Sequence, residues 1–124
     1  MIKVDEETFD CIVEAAIDSI PDRFLDELEN VTFFWEEEPD PESLGEDYRP
    51  DLLGLYDGVN IYDRAATYGD YLDMPDAITV FKGPHERMCN SLEELAEEVR
   101  RTVVHEVGHY FGMDEDDLER MGYL

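Results

Sequence analysis

His105-Glu106-Val107-Gly108-His109 sets two imidazoles four residues apart with an acid beside the first, an HExxH arrangement that is useful only on a helix. Residues i and i+4 of a helix lie about one turn apart on the same face. Two imidazoles so placed can grip one metal ion from adjacent turns, and zinc suits that donor pair. Glu106 then stands next to the first ligand, where it can reach a water held by the metal without coordinating. There it can act as general base for attack on a polarised carbonyl, since zinc brings the pKa of that water toward about 7. The competing reading is that both histidines merely cover a helix face and Glu106 is one acid among 34. Context weighs against it, because two of the three histidines in the chain fall at this spacing on a segment that reads as helix independently.

That helix starts at Ser91, which with Glu94 has the spacing of a capping box. Leu92, Leu95, Val99, Val103, Val107 and Tyr110 or Phe111 form its apolar stripe, and Gly112 is placed to end it in a left-handed cap. Asp114 can cap a last short helix through Met121, closed by Gly122. At the other end Asp5 caps a helix whose apolar face is Phe9, Ile12, Val13, Ala16, Ile17 and Ile20. Pro21 stops it, and Asp22 to Glu29 predicts a second helix using Phe24, Leu25 and Leu28.

Val31-Thr32-Phe33-Phe34-Trp35 changes the period to that of a strand. Glu36 to Pro50 holds three of the six prolines among mostly acidic residues without ligand spacing, so a solvated loop is expected and not a metal site. Leu52 to Tyr56 and Val59 to Tyr62 flank Asp57-Gly58, a hairpin signal. A loose stretch, Asp63 to Asp76, leads to a strand over Ala77 to Phe81, and after Gly83-Pro84 a short helical turn is expected. No internal repeat appears. The order predicts one α+β domain over residues 1–124, a small mixed sheet packed on helices with a long HExxH helix.

Charge narrows the partners. With 34 acidic against 9 basic residues the net charge is -25, which opposes binding to nucleic acid or to an anionic membrane surface. An apolar content of 43% with 11% aromatics still suffices for a core, so an acidic disordered chain is not expected. Two lysines among nine basic residues would suit a high-salt interior, and stability should then fall when salt is removed. Cys11 and Cys89 are too few for a disulfide scaffold, no secretory leader is visible, and the apolar runs fall far short of the roughly 20 residues of a membrane span. A cytoplasmic setting is the expectation. The charge fixes no oligomeric state.

A catalytic zinc normally has three protein ligands and one open position. Fifteen residues follow His109 in this sequence, so the third ligand is expected close behind the motif and not on a distant downstream helix. Counting onward to the place where a metzincin would have its third histidine brings us to Glu115. His85 lies just after the strand Ala77 to Phe81 and is expected to be a solvated loop residue, and Cys89 a small core residue, not a partner of His105 or His109 in thiol chemistry.

His105-Glu106-x-x-His109-x-x-Gly112-x-x-Glu115 resembles the Asp-zincin pattern HExxHxxGxxD with Glu in the last place. The run from Glu98 through Gly122, with Leu53-Gly54-Leu55-Tyr56-Asp57-Gly58 and Ile78-Thr79-Val80-Phe81-Lys82 upstream, is similar to the small bacterial metallopeptidase-like proteins called mini-zincins. The resemblance implies His105 and His109 as Zn²⁺ ligands, Glu106 as base, and the acid at position 115 as third ligand. Glu115 is one methylene longer than the Asp of the pattern, and Asp114 and Asp116 are immediate alternatives. It also implies that Ala77 to Lys82, with Ile78, Thr79 and Val80 at its centre, pairs with an extended peptide or protein substrate. An oxyanion-stabilising donor is needed as well. Tyr or Arg can supply it, and seven tyrosines leave the choice open.

The function expected is a zinc-dependent metallopeptidase that hydrolyses an amide bond by Glu-assisted attack of zinc-bound water. The alternative from another class is a metal-binding regulatory or interaction module without turnover. A third, an acidic decoy for a basic protein, leaves the HExxH arrangement unexplained.

Overall fold

A computed structural model describes residues 1–28, 31–58 and 76–120. Helix α1 spans Glu6–Asp18, with the Asp5 carboxylate accepting from the Thr8 N–H at 2.8 Å. Its apolar face is buried through Phe9, Val13 and Ala16, and Ile20 follows beyond the helix end. Helix α2, Asp22–Leu25, is shorter than the sequence predicts; beyond it Leu28 bonds to Leu25 in a turn. Strand β1, Val31–Glu36, alternates as a half-buried strand must, with Val31, Phe33 and Trp35 inward and Phe34 outward.

The stretch after β1 departs from the expected loop. It contains helix α3, Pro41–Leu44, and a 3₁₀ turn, Gly45–Asp47. Asp40 accepts from the Glu42 N–H at 3.0 Å and Pro41 takes the first helical position. Proline and acid are loop composition, and they are also helix N-terminal composition.

Strand β2, Gly54–Asp57, and strand β3, Asp76–Phe81, complete a sheet of order β1-β3-β2. β1 runs parallel to β3, with Phe33 opposite Ile78, and β2 runs antiparallel to it, with Gly54 opposite Val80. The expected hairpin partner Val59 to Tyr62 and the loose stretch before Asp76 lie outside the described residues.

Helix α4, Lys82–Met88, leaves β3 directly and is longer than the single turn expected, with Pro84 in its first turn, where no donor is lost. Helix α5, Leu92–Tyr110, opens with Ser91 accepting from the Glu94 N–H at 3.1 Å. Leu95, Val99, Val103, Val107 and Tyr110 are buried as predicted, whereas Leu92, in the first turn, projects past the core and is half exposed. α1 and α5 pack on one another and on Ile78 and Val80 of β3, and the Phe9 ring meets Trp35 edge-on at 5.2 Å. Among the described residues no helix is long and apolar enough to cross a membrane.

Candidate metal centre

The end of α5 is built so that the chain must turn back over it. Gly112 takes φ 78°, the Gly112 N–H bonds to the His109 carbonyl at 2.9 Å, and the Met113 N–H bonds to the Gly108 carbonyl at 2.9 Å. This is a Schellman closure, and the left-handed residue it needs is free of strain only as glycine. Helix α6, Glu115–Arg120, follows at once. Its cap is reciprocal, with the Asp117 N–H donating to Asp114 at 2.8 Å and the Asp114 N–H to Asp117 at 3.2 Å.

α6 lies close on α5 because position 108 has no side chain. A Cβ there would run into Leu118 Cδ2 and stand 3.3 Å from Leu118 Cδ1 and Cγ. Leu118 is buried, and with it seated the first residue of α6, Glu115, faces the two histidines. His105 Nε2 and His109 Nε2 are 2.9 Å apart, and Glu115 Oε1 is 3.0 Å from the first and 3.8 Å from the second. Zn–N and Zn–O bonds of about 2.0–2.2 Å in a tetrahedral site put donor atoms about 3.3–3.6 Å from each other. The triangle of His105, His109 and Glu115 brackets that spacing, and its donor set, two imidazoles and a carboxylate, is that of a catalytic zinc with one position open. The residues fit the metal.

Glu106 stands beside this triangle and outside it, with Oε2 4.0 Å from His105 Nε2. Its side chain is 11% exposed. Burial pushes its carboxyl above the usual range, while the nearby His109 and His105 and a hydrogen bond from the Tyr56 backbone pull it back. β2 comes this close because residue 54 is glycine: a Cβ there would sit 2.5 Å from Thr102 Cγ2 and 3.3 Å from Glu106 Cγ. Two adjoining hollows open over the site and share Arg49, Leu52, Gly54, His105 and Glu106 as lining.

Other expectations resolve differently. Asp114 spends its carboxylate on the cap of α6, and among the described residues neither it nor Asp116 joins the cluster of convergent donors. His85 is not a solvated loop residue. It lies on α4, fully buried, with Nδ1 2.7 Å from the Phe81 carbonyl and Nε2 2.8 Å from Thr102 Oγ1. Burial pushes its pKa down, so it is held neutral and both ring nitrogens are engaged away from the site. Ile78, Thr79 and Val80 sit in the central strand, paired with β1 on one side and β2 on the other. A peptide cannot add to a strand whose two edges are taken, so the role expected of Ala77 to Lys82 does not fit their place; the strand lining the hollow is β2. Cys89 is buried in the core, and burial raises its thiol pKa. Gly54, Gly108 and Leu118 lie in stretches that resemble the mini-zincins, but nothing in the sequence marks them as spacers.

The zincin-like metallopeptidase family matches residues 28–123. The chain belongs to that family. Among solved structures, this zincin-like protein is similar to a conserved hypothetical protein from T. thermophilus, at 24% identity over 95% of this chain and 97% of the other, with a TM-score of 0.54. That likeness is one of fold. No curated protein matches the sequence.

Proposed function

We propose that the protein is a zinc-dependent peptidase in which His105, His109 and Glu115 hold the metal and Glu106 is the general base. The observation that carries this reading is the convergence of three donor atoms within 4.8 Å of one another beside a buried carboxylate that is not one of them. Zinc held there supplies Lewis acidity, polarising the scissile carbonyl and acidifying water. Glu106 accepts the water proton as the new carbon–oxygen bond forms and the carbonyl π pair moves onto oxygen. It then returns a proton to the amide nitrogen as the carbon–nitrogen bond breaks. Among the described residues β2 is an edge strand of the sheet, and with Gly54, Leu55 and Tyr56 in the hollow it is the strand onto which an extended peptide adds. Residues 1–124 act as one domain in this reading.

Glu106→Gln keeps the size of the base and removes its proton affinity. Elemental analysis should find about one zinc per chain in the unmodified protein and in Glu106→Gln, and its loss in His109→Ala. Peptide hydrolysis should fall by at least about 10²-fold in Glu106→Gln. A Glu106→Gln protein that cleaves as fast as the unmodified one, or an unmodified protein that takes up no zinc, refutes the proposal.

A further inference from the structure

A peptidase needs a donor for the negative charge that grows on the carbonyl oxygen, and the sequence leaves that donor open between Tyr and Arg. Among the described residues five line both hollows; of these, His105 and Glu106 already have proposed roles, and Leu52 and Gly54 carry no polar side chain. Arg49 is the fifth. It is exposed, and the turn before β2 is closed by the Leu52 N–H on the Arg49 carbonyl at 3.2 Å.

Among the described residues no acid lies within ion-pair distance of Arg49, in a chain with 34 of them. Most of the other described arginines are ion-paired: Arg87 with Glu38 at 2.9 Å, Arg100 with Glu97 at 2.6 Å, and Arg101, which lines only one hollow, with Glu97 at 3.5 Å, while Arg23 lies over the Phe24 ring and lines neither hollow. Tyr56, the tyrosine in the hollow among the described residues, donates its hydroxyl to Asp76 at 3.0 Å. A net charge of -25 also makes any new negative charge costlier, which raises the value of one uncommitted guanidinium at the junction.

From this placement we infer that Arg49 is a further catalytic residue, whose guanidinium donates to the carbonyl oxygen of the scissile bond as it becomes an oxyanion. Binding of a substrate carboxylate is the less favoured use of the same charge. A carboxylate lodged further out would face Asp51 and Glu98 in one hollow and Asp114 in the other.

The inference rests on the peptidase reading, and its test separates the two. Zinc-loaded unmodified protein, Arg49→Gln and Arg49→Lys are compared on two quenched peptides that differ only by Glu or Gln near the scissile bond. In parallel, calorimetry measures binding of a matched phosphinic peptide, tetrahedral and anionic, and of its uncharged reduced-amide counterpart. Arg49→Gln should lower kcat on both peptides by about 10²-fold with little change in KM, and weaken the phosphinic peptide by at least about tenfold while sparing the reduced amide. Arg49→Lys should recover part of each loss. Equal phosphinic affinity in Arg49→Gln and the unmodified protein overturns the assignment, as does a rise in KM confined to the Glu peptide, which would make Arg49 a reader of substrate carboxylates. Absence of turnover by the unmodified protein refutes the peptidase reading alone, because the phosphinic comparison decides Arg49 without turnover. Arg49 is exposed, so equal melting temperatures should show that folding does not confound the result.

Discussion

The two flanks of α5 hold their functional groups by different means. Toward β2 and α4, Glu106 and Thr102 are buried, the strand approaches within the space of a missing Cβ at Gly54, and His85 closes the contact from behind. Toward α6, His105 and His109 are partly open, Glu115 is 64% exposed, and the six-residue helix that carries it is seated by Leu118 on Gly108. Glu106, the proposed base, is therefore fixed by the fold itself, whereas Glu115, the proposed third donor, is delivered by a short element resting on one apolar contact. Position of the base and affinity for the metal should respond to different substitutions.

The largest effect is expected on the buried flank. Gly54→Ala puts a methyl 2.5 Å from Thr102 Cγ2 and 3.3 Å from the Thr79 carbonyl oxygen, and neither neighbour is a flexible chain end. Urea unfolding should show a loss of about 1–3 kcal/mol, the usual cost of overpacking. Adding Thr102→Ser, which removes the obstructing methyl and keeps the hydroxyl, should restore part of that loss. Additive effects of the two substitutions would mean that β2 yields easily and that the flanks are alike.

On the open flank the expectation is reversed. Gly108→Ala should leave global stability nearly unchanged, because replacing a glycine in the last turn of α5 gains up to about 1 kcal/mol in helix propensity and offsets the crowding of Leu118, a side-chain end. Zinc affinity should nevertheless fall by about tenfold, approaching that of Glu115→Ala, as α6 is pushed outward. Competition with a chromophoric chelator reads this directly. Unchanged affinity in Gly108→Ala would show that α6 is not what delivers Glu115.

What the sequence reveals follows the same division. α5 is visible because its signals are local: a serine cap, an apolar stripe and a glycine stop within about twenty residues, and His105, Glu106 and His109 ride on it. The nearness of Glu115, against Asp114 and Asp116, is settled by the fold, since Asp114 is drawn into the cap of α6. β3 reads correctly as a strand, yet its central place depends on parallel pairing with β1 across some forty residues, and no local pattern encodes which strand is the edge. The burial of His85 depends on α4 docking against α5, and a histidine after a strand carries no mark of it. The close approaches at Gly54 and Gly108 are tertiary facts, and a glycine in sequence does not say what lies opposite.

The smallest effect tests how rigid the buried flank is. His85 Nδ1 lies 2.7 Å from the Phe81 carbonyl, which can only accept, so Nδ1 carries the proton and neutral Nε2 accepts from the Thr102 hydroxyl at 2.8 Å. Thr102 Oγ1 is also 3.1 Å from the Glu98 carbonyl, but its single proton serves one acceptor at a time. Burial lowers the His85 pKa, opposed by the Phe81 carbonyl and the charge of Glu98. Below pH about 6.5 the unfolded chain takes a proton that the fold resists, so this stabilisation is complete above that pH and declines as pH falls through it. The slope is at most about 1.4 kcal/mol per pH unit. Glu38 and Glu97, whose pKa values are lowered by Arg87 and Arg100, lose their contributions only at more acidic pH, and Glu106, whose pKa burial raises, is present in both proteins, so the gap between them reads His85. His85→Gln should be less stable than the unmodified protein at pH 7.5, and the gap should narrow by up to about 1 kcal/mol by pH 5.5. A gap that stays constant would mean that the folded protein accepts the proton after all, with Nε2–H donating to Thr102 and the threonine hydroxyl turned to Glu98. The buried flank would then rearrange as readily as the open one.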